Sequence, residues 1–339
     1  MIHKRVTLKE VAIAAGVSTA SVSRAIAGKA TVSAERQARI MAAASRLEYV
    51  PNPAARALAS RRSGLVALVV RPMDDGVVIR TATATLRVFE RHGCNALVLA
   101  GPGAEQADIS KLAKRSVEAV LYIGRPPLAA EREALSVHRL RWFSMTDDQN
   151  ENDPWVELGR VSGVELACRY LREVGHRKFA VLASPGLAID RLVRRLSEEG
   201  MAIDWVEVAS SGDPVALRNG LLSRFDAPDR PSAVVCADDL TALAVVRECA
   251  LRGIAVPRDL AVIGFGDEPF ARCSRPALTT VRPAYADIGH YAAEAMLTAI
   301  AGRPYAPYRP SHKLIVRETT QWPGDPPRST WNHTTSGST

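Results

Sequence analysis

The stretch GVSTASVSRAIAGKATVSAE, from Gly16 to Glu35, carries hydroxyl and guanidinium side chains at spacings that suit contact with nucleic acid. If it begins with a helix, Val22 and Ile26 share one face, because residues four apart are neighbours on a helix. The opposite face then presents Thr19, Ala20, Ser23, Arg24 and Ala27. Small side chains let a helix lie deep in the DNA major groove, hydroxyls bond phosphates or base edges, and an arginine fork matches guanine O6 and N7. The spacing therefore predicts that this face contacts DNA.

The neighbouring residues supply the elements that must position this face. Thr7 and Glu10, in TLKE, form a capping box that starts an earlier helix, and Leu8, Val11 and Ala15 fall on its inward side. Gly16 ends that helix and Ser18 caps the next, so only a tight turn separates them. Two helices joined in this way form a helix-turn-helix, and a third helix capped by Ser33 and ending near Leu47 completes its core.

The distribution of charge supports the same interpretation. The chain has 339 residues and a net charge of +8; residues 1–63 contain 11 lysines and arginines against 3 acids, whereas the remainder contains 33 of each. A solvated basic surface is the ordinary explanation for positive charge. Confinement of the whole excess to one segment instead favours a polyanionic partner, and nucleic acid is the obvious candidate.

A short helix is expected in residues 50–62. Pro51 blocks continuation of the third helix, Asn52 is a plausible N-cap, and Ala54 to Ser60 are mostly good helix formers. About eight residues are fewer than the ~12–15 that a stable isolated helix needs, so this segment should become helical only when docked. A plain linker is the alternative; Leu58 and three arginines, Arg56, Arg61 and Arg62, favour a hinge that folds on DNA.

From Ser63 onward, strand-like runs alternate with helical patterns. This alternation predicts two parallel sheets, each covered by helices. The strand-like runs are LVALVV, NALVLAG, AVLYIG, LRWFSM, KFAVLAS, IDWVEVA, SAVVCAD and LAVIGFG. Ligands of such folds bind beyond the carboxyl ends of the strands. The residues that follow the runs are therefore candidate ligand contacts, among them Asp74, Arg125, Asp147, Asp238 and Asp267.

Each of these candidates has a structural alternative: Asp238 could cap the next helix, and Asp267 could shape a turn. If the strands before them are parallel neighbours, their two carboxylates project from one sheet edge and suit a polyhydroxylated ligand. Arg125 or Arg191 could then hold a carboxylate if the ligand is a sugar acid.

Several classes of protein are excluded. No apolar run approaches the ~18 residues of a membrane span, and the start lacks a signal peptide, so a cytoplasmic chain is expected. The five scattered cysteines indicate buried thiols rather than metal ligands or disulfides, and no metal or cofactor is expected. A nucleotide-dependent oxidoreductase would need GxGxxG after its first strand, and a transport binding protein would need an export signal and no DNA-binding segment.

Three stretches of the chain resemble the lac repressor (LacI/GalR) family of bacterial transcription regulators. They are VTLKEVAIAAGVSTASVSRAIAGKATVSAERQARIMAAASRLEYVPNPAARAL, CADDLTALAVVRECALRGIAVPRDLAVIGFGDEPFARCSRPALTTVRP and LIVRETT. The resemblance implies an N-terminal all-α helix-turn-helix domain and an α/β periplasmic-binding-protein-like core of two parallel-sheet subdomains. It also implies a homodimer that reads near-palindromic operator DNA, places hinge helices in the minor groove, and responds to a small effector, a sugar or sugar acid, in the core cleft.

The resemblance also implies roles for individual residues. Thr19, Ala20 and Arg24 match base-reading positions, and Thr7, Ser18 and Ser23 match phosphate-contacting positions. The remaining expected DNA contacts are Thr31, Asn52, Ala55, Arg56 and Leu58, of which Ala55 and Leu58 match the wedge that parts the central base step. Asp238 and Asp267 match effector-binding positions. The chain departs from the family at Gly266, where many members have a second aspartate, and around Arg191, where the loop is shorter.

The resulting expectation is a ligand-responsive regulator that acts as a repressor, with an activator of the same family and a nucleotide- or sugar-dependent α/β enzyme as alternatives. We expect a DNA-binding domain at residues 1–49, a hinge and linker at 50–62, a core at 63–322 and a disordered tail at 323–339. Within the core, the N-subdomain should comprise about 63–160 and 284–313, and the C-subdomain about 161–283 and 314–322.

Overall fold

The computed structural model describes residues 6–26, 32–49, 63–73, 75–101, 106–147, 153–183, 187–207, 230–305, 308 and 310–320. The chain divides into two compact units, residues 1–63 and residues 64–339. Among the helices in these ranges, none is long and apolar enough to cross a membrane.

The first unit is a three-helix arrangement of α1 (Leu8–Ala15), α2 (Thr19–Ile26) and α3 (Ala34–Arg46). Its core is small and is centred on Val11, Val22 and Ile40, one from each helix, all with no exposed surface. Burial of each such side chain contributes about 1.5–3 kcal/mol, which lets three short helices fold together although none would be stable alone. The expected order of helices is confirmed; Ser33 occupies the N-cap position of α3, but its side chain makes no capping hydrogen bond.

The second unit begins with a five-stranded parallel sheet in the order β2-β1-β3-β4-β5. Its strands are β1 (Leu65–Arg71), β2 (Asn95–Leu99), β3 (Ala119–Gly124), β4 (Arg141–Met145) and β5 (Trp155–Val156). The connecting helices are α4 (Gly76–Arg91), α5 (Ile109–Lys114) and α6 (Ala129–Val137). Alternate β1 residues point to opposite faces: Val66 and Leu68 join one apolar cluster with α4, whereas Ala67 and Val69 join another with α5 and α6.

A six-stranded sheet follows, in the order β11-β10-β9-β8-β6-β7, parallel except for the β10–β11 pair. Its strands are β6 (Lys178–Ala183), β7 (Ala202–Glu207), β8 (Ala233–Cys236), β9 (Ala261–Phe265), β10 (Thr279–Arg282) and β11 (Lys313–Ile315). The helices of this half are α7 (Arg160–Glu173), α8 (Leu187–Glu198), α9 (Asp239–Leu251) and the 3-10 helix Pro269–Arg272. The last helix, α10 (Tyr285–Ile300), returns to pack against α4 of the first half.

Two doubly covered parallel sheets confirm the predicted fold class, and all eight predicted strands are present. The sequence pattern missed β5, β10 and β11, which have 2, 4 and 3 residues and are too short to show a period. The expectation of buried cysteines holds for Cys168, Cys236 and Cys249, but Cys94 is half-buried and Cys273 is exposed.

Candidate DNA interface and ligand cleft

Local hydrogen bonds and a glycine cap define where α1 and α2 begin and end. The Thr7 N–H donates to Glu10 Oε2 over 2.6 Å, and the Glu10 N–H donates to Thr7 Oγ1 over 3.3 Å, as the TLKE pattern predicts. Gly16 ends α1 with φ of 62°, a conformation that favours glycine because it has no Cβ. Ser18 Oγ then accepts the N–H of Ser21 over 3.2 Å at the start of α2. The turn between the helices is therefore determined by residues that lie in it or close to it in the sequence.

The outer face of α2 is polar and open. Thr19, Ala20, Ser23 and Arg24 are exposed, whereas Val22 and Ala25 are buried against the other helices. The Arg24 Nε donates to the Ala20 carbonyl over 3.2 Å, and the side chain as a whole is exposed. Side chains of this size and charge on one exposed helix face suit insertion into a DNA major groove.

Several predicted contacts cannot be placed, because they lie outside the described residues. These are Thr31, Asn52, Ala55, Arg56 and Leu58 of the expected DNA contacts, and Asp74 of the expected ligand contacts. Their roles stay predictions.

In the second unit, the carboxyl ends of the two sheets are joined by a buried ion pair. Asp75, which follows β1, caps α4 by accepting the N–H groups of Val77 and Val78 over 2.9 and 3.2 Å. Its other carboxylate oxygen accepts a hydrogen bond from Nη2 of Arg160, the first residue of α7. The two side chains are only 11% and 21% exposed, so the pair is largely shielded from water. It links a helix of the first sheet to a helix of the second.

Asp147, which follows β4, holds the same helix end from another direction. Its carboxylate accepts the N–H of Gly159 over 2.8 Å and that of Arg160 over 3.1 Å. Burial raises the pKa of Asp147 to about 6, although the Arg160 charge and the two N–H groups act to lower it. Burial alone would lower the pKa of Arg160, but Asp75, Asp147 and Asp238 together raise it. We call Asp75, Asp147, Arg160 and Asp238 the Arg160 cluster.

Strands β8 and β9 are parallel neighbours, so the residues that follow them share a sheet edge as predicted. Asp238 caps α9, because its carboxylate accepts the N–H and the hydroxyl of Thr241, each over 2.7 Å. This is the structural alternative stated for Asp238, and it coexists with the influence of its charge on Arg160. The adjacent Asp239 is buried and accepts the Glu268 N–H over 2.7 Å.

Asp267 is committed to two arginines. Its carboxylate accepts Nε of Arg282 and Nη2 of Arg317, each over 2.6 Å, and its backbone has φ of 49°. Burial would raise the pKa of Asp267, but the hydrogen bonds from Arg317 and Arg282 lower it overall. The carboxylate thus braces the turn after β9 against β10 and the residues after β11, which favours the structural alternative over an open ligand contact.

A second contact joins the two halves beside the Arg160 cluster. The Arg80 Nε lies 3.3 Å from Glu268 Oε1, and its guanidinium lies over the Tyr285 ring, 5.2 Å from the centroid. A Cβ at Gly76 would lie 2.8 Å from the Glu268 carboxylate, so a larger residue there would push this side chain away from Arg80. Asp75–Arg160 and Arg80–Glu268 are therefore two neighbouring ion pairs between the halves.

The two predicted arginines lie at the surface, and their roles as ligand contacts stay predictions. Arg125 follows β3 and is exposed, and Arg191 lies on an exposed face of α8. Arg160 holds the acids instead, and sequence reasoning missed it. Asp75 could have been found, because an aspartate before a glycine and an apolar helical run indicates an N-cap, whereas no local pattern marks Arg160.

Comparison with known proteins agrees with this architecture. Residues 7–52 match the bacterial regulatory proteins of the lacI family, and residues 168–320 match a periplasmic binding protein-like domain. The HTH-type transcriptional regulator GntR of Pseudomonas aeruginosa is 30% identical over 333 residues, covering 93% of this chain and 96% of that protein. The HTH-type transcriptional regulator CelR of Thermobifida fusca is 32% identical over 347 residues, covering 94% and 99%.

Solved structures share the fold. The lac repressor dimer bound to operator and the anti-inducer ONPF has a TM-score of 0.72 at 23% identity, covering 94% of this chain and 99% of that one. The CelR–cellobiose complex has a TM-score of 0.64 at 27% identity, covering 93% and 100%. The relatives are named as transcriptional regulators, which confirms the expectation of a regulator rather than an enzyme. A helix-turn-helix unit followed by a binding-protein-like core, with relatives of this similarity along nearly the whole chain, places the protein in the lacI family of bacterial transcription regulators.

Proposed function

We propose that the protein is a cytoplasmic repressor that binds a near-palindromic operator as a homodimer and changes its operator affinity when a sugar-class effector occupies the core. One observation carries the proposal: the same chain has an open Thr19–Arg24 helix face and a core whose two sheets meet at the Arg160 cluster. Relatives named as ribose operon repressors and the CelR–cellobiose complex support repression and a sugar effector.

On the DNA side, Arg24 would read a guanine with its terminal amino groups, and Thr19 and Ala20 would contact neighbouring base edges. Thr7, Ser18 and Ser23 would contact phosphates, which fix the register of the helix without reading sequence. Residues 50–62 would form the hinge, with Leu58 at a central base step.

On the effector side, the Arg160 cluster offers both acceptors and a donor. Carboxylates accept hydrogen bonds from sugar hydroxyls, and the Arg160 Nε is buried without a hydrogen-bond partner among the described residues. An effector that bonds Asp75 from one half and Arg160 from the other would stabilise one arrangement of the halves over another. Differential affinity of this kind is the basis of allosteric coupling.

We also propose the domain division expected from the sequence, in which the chain crosses between the two subdomains of the core three times. The division is supported by α10, which packs on α4 of the first half, and by β11, which pairs with β10 of the second. The chain would therefore cross between the subdomains near residues 160, 284 and 313.

The test is a selection of duplexes from a random-sequence library by the full-length protein, followed by titration of the selected duplex with and without candidate effectors. The panel comprises neutral monosaccharides, disaccharides, sugar acids and nucleosides. We expect a near-palindromic selected sequence, two protomers per duplex by sedimentation, and a change in duplex affinity with one sugar class. Recovery of no preferred sequence would contradict the proposal.

A promoter–reporter fusion distinguishes repression from activation by the same protein. Expression that rises when the chain is deleted supports repression, whereas expression that falls indicates an activator. Arg24→Ala in the same strain is the control that ties either result to the DNA face of α2.

A further inference from the structure

The edge of the first sheet at which the strands begin carries exposed arginines. Strands β1 to β4 are parallel, so they begin at one edge, where the connecting helices end. Arginines stand at the last residue of α4, one residue beyond α5, two beyond α6, at the start of β4 and three beyond α10. We call these five residues the arginine edge: Arg91, Arg115, Arg139, Arg141 and Arg303.

Two contacts show that the end of α10 belongs to this edge. Arg141 donates a hydrogen bond to the Ala299 carbonyl in the last turn of α10. A groove of about 590 Å³ lies between the start of β4 and the end of α10, and Arg141 and Arg303 both line it. The five residues therefore lie along the starting edge of the first sheet and the adjoining end of α10.

Within the described residues, no acidic side chain forms an ion pair with these five arginines. Arg115, Arg139 and Arg303 make no side-chain hydrogen bond or ion pair there, and Arg91 donates only to a carbonyl of its own helix. Of the nearby carboxylates, Glu118 accepts the N–H of Gly64 over 2.7 Å. Glu294 pairs with His92, and Glu90 is exposed.

Arginine at a helix C-terminus is stabilising in itself, because it complements the helix dipole. Such arginines can still be paired with acids, as the corresponding edge of the second sheet shows. There, Arg169 and Arg195 share Glu165 and Glu199, and Lys178 lies 3.6 Å from Asp204. At the first sheet the five arginines form no ion pair among the described residues.

We propose that the arginine edge contacts DNA phosphates beside the sequence read by α2 and adds sequence-independent affinity. The inference rests on the proposed function. Gly64, which immediately precedes β1, is the first residue after the DNA-binding unit, so this edge is the one from which the chain continues to that unit. A row of guanidinium groups is complementary to a phosphate backbone, and each phosphate contact releases counterions and makes binding depend on salt.

The experiment compares two double variants of the full-length protein. Arg115→Ala/Arg139→Ala removes two charges from the arginine edge without breaking a described hydrogen bond. Arg177→Ala/Arg275→Ala removes two exposed charges from the starting edge of the second sheet and is the matched control. Binding to a labelled duplex of mixed sequence is measured by fluorescence anisotropy between about 50 and 200 mM KCl, and circular dichroism melts check that both variants are folded.

The edge variant should reduce the slope of log affinity against log salt by about one to two per protomer, because each lost phosphate contact removes about 0.9. Its affinity at the lowest salt should fall several-fold, and the control should match the wild type. An edge variant that matches the control, or equal losses in both variants, would overturn the inference; a surface for an acidic protein partner would give the first of these results. A wild-type protein without salt-dependent DNA binding would instead overturn the proposed function.

Discussion

Replacement of Asp267 by asparagine separates a structural brace from a ligand contact. In the structure, the Asp267 carboxylate, 11% exposed, bonds Arg282, which is 50% exposed, and Arg317, which is 16% exposed. Asp267→Asn keeps the shape of the side chain but removes its charge. If the brace is its role, the variant must lose folding stability whether or not effector is present.

The two ion pairs contribute unequally. The pair with Arg282 is open to water, and such pairs are worth about 0–1 kcal/mol. The pair with Arg317 is largely buried, so losing its charge-assisted hydrogen bond should cost about 1.5–3 kcal/mol. A total near 2–3 kcal/mol would lower the melting temperature by about 4–8 °C for a unit of this size.

The assay is urea unfolding of the full-length protein at neutral pH. The quantity measured is the urea midpoint at which the second unit unfolds. Asp287→Asn is the matched control, because the Asp287 side chain is exposed and makes no hydrogen bond or ion pair among the described residues, so its loss should change stability far less. The pKa of Asp267 is lowered in the folded state, so its contribution is present above the unfolded pKa and lost as pH falls through the folded pKa. The difference between Asp267→Asn and wild type should therefore shrink in acid.

A different result would refute this reasoning. If Asp267→Asn unfolds at the wild-type urea concentration while calorimetry shows weaker effector binding, then Asp267 is a ligand contact, as the family resemblance implies. Reduced stability with unchanged effector affinity identifies it as a brace.

Arg24→Ala should weaken operator binding by about 1–3 kcal/mol per half-site and relax the preference at one base pair, as tested by competition among single-base operator variants; uniform weakening would make Arg24 a phosphate contact. Arg160→Gln should weaken effector binding about 10- to 100-fold in calorimetry, since a charged hydrogen bond is lost, whereas Arg125→Gln should not. Burial lowers the pKa of His312 to about 4, so its neutral form supports folding above about pH 6.5 and that support is lost as pH falls toward 4. Urea midpoints of His312→Gln should then fall less on acidification than those of wild type.

The DNA-binding unit is the part of the fold that the sequence predicts most completely, because its determinants are local. The capping box joins Thr7 and Glu10, which are three positions apart, and the left-handed cap at Gly16 depends on a missing Cβ. The burial of Val22 and the exposure of Arg24 follow from helical spacing alone. No tertiary information is needed for any of these features.

The ligand cleft is predicted only in part, because its partners are distant in the chain. Asp147 and Asp238 follow clear strand runs, so their position at a sheet edge is foreseeable. The bond from Arg160 to Asp75 spans 85 residues, and that from Arg317 to Asp267 spans 50. Nothing in the local sequence distinguishes these arginines from the surface arginines Arg125 and Arg191, so the choice between them requires the fold.

The same pairing bears on which effector fits the core. A sugar acid needs a guanidinium whose charge is not already balanced, and the described arginines at the strand ends largely fail that condition. Arg160 serves Asp75 and lies in the field of two further carboxylates, and Arg80 faces Glu268. A neutral sugar adds no charge, and its hydroxyls can form hydrogen bonds to the carboxylates and guanidinium groups in place of bonds within the ion pairs. Its binding therefore carries the smaller electrostatic cost. The arrangement therefore favours a neutral polyhydroxylated effector over a sugar acid.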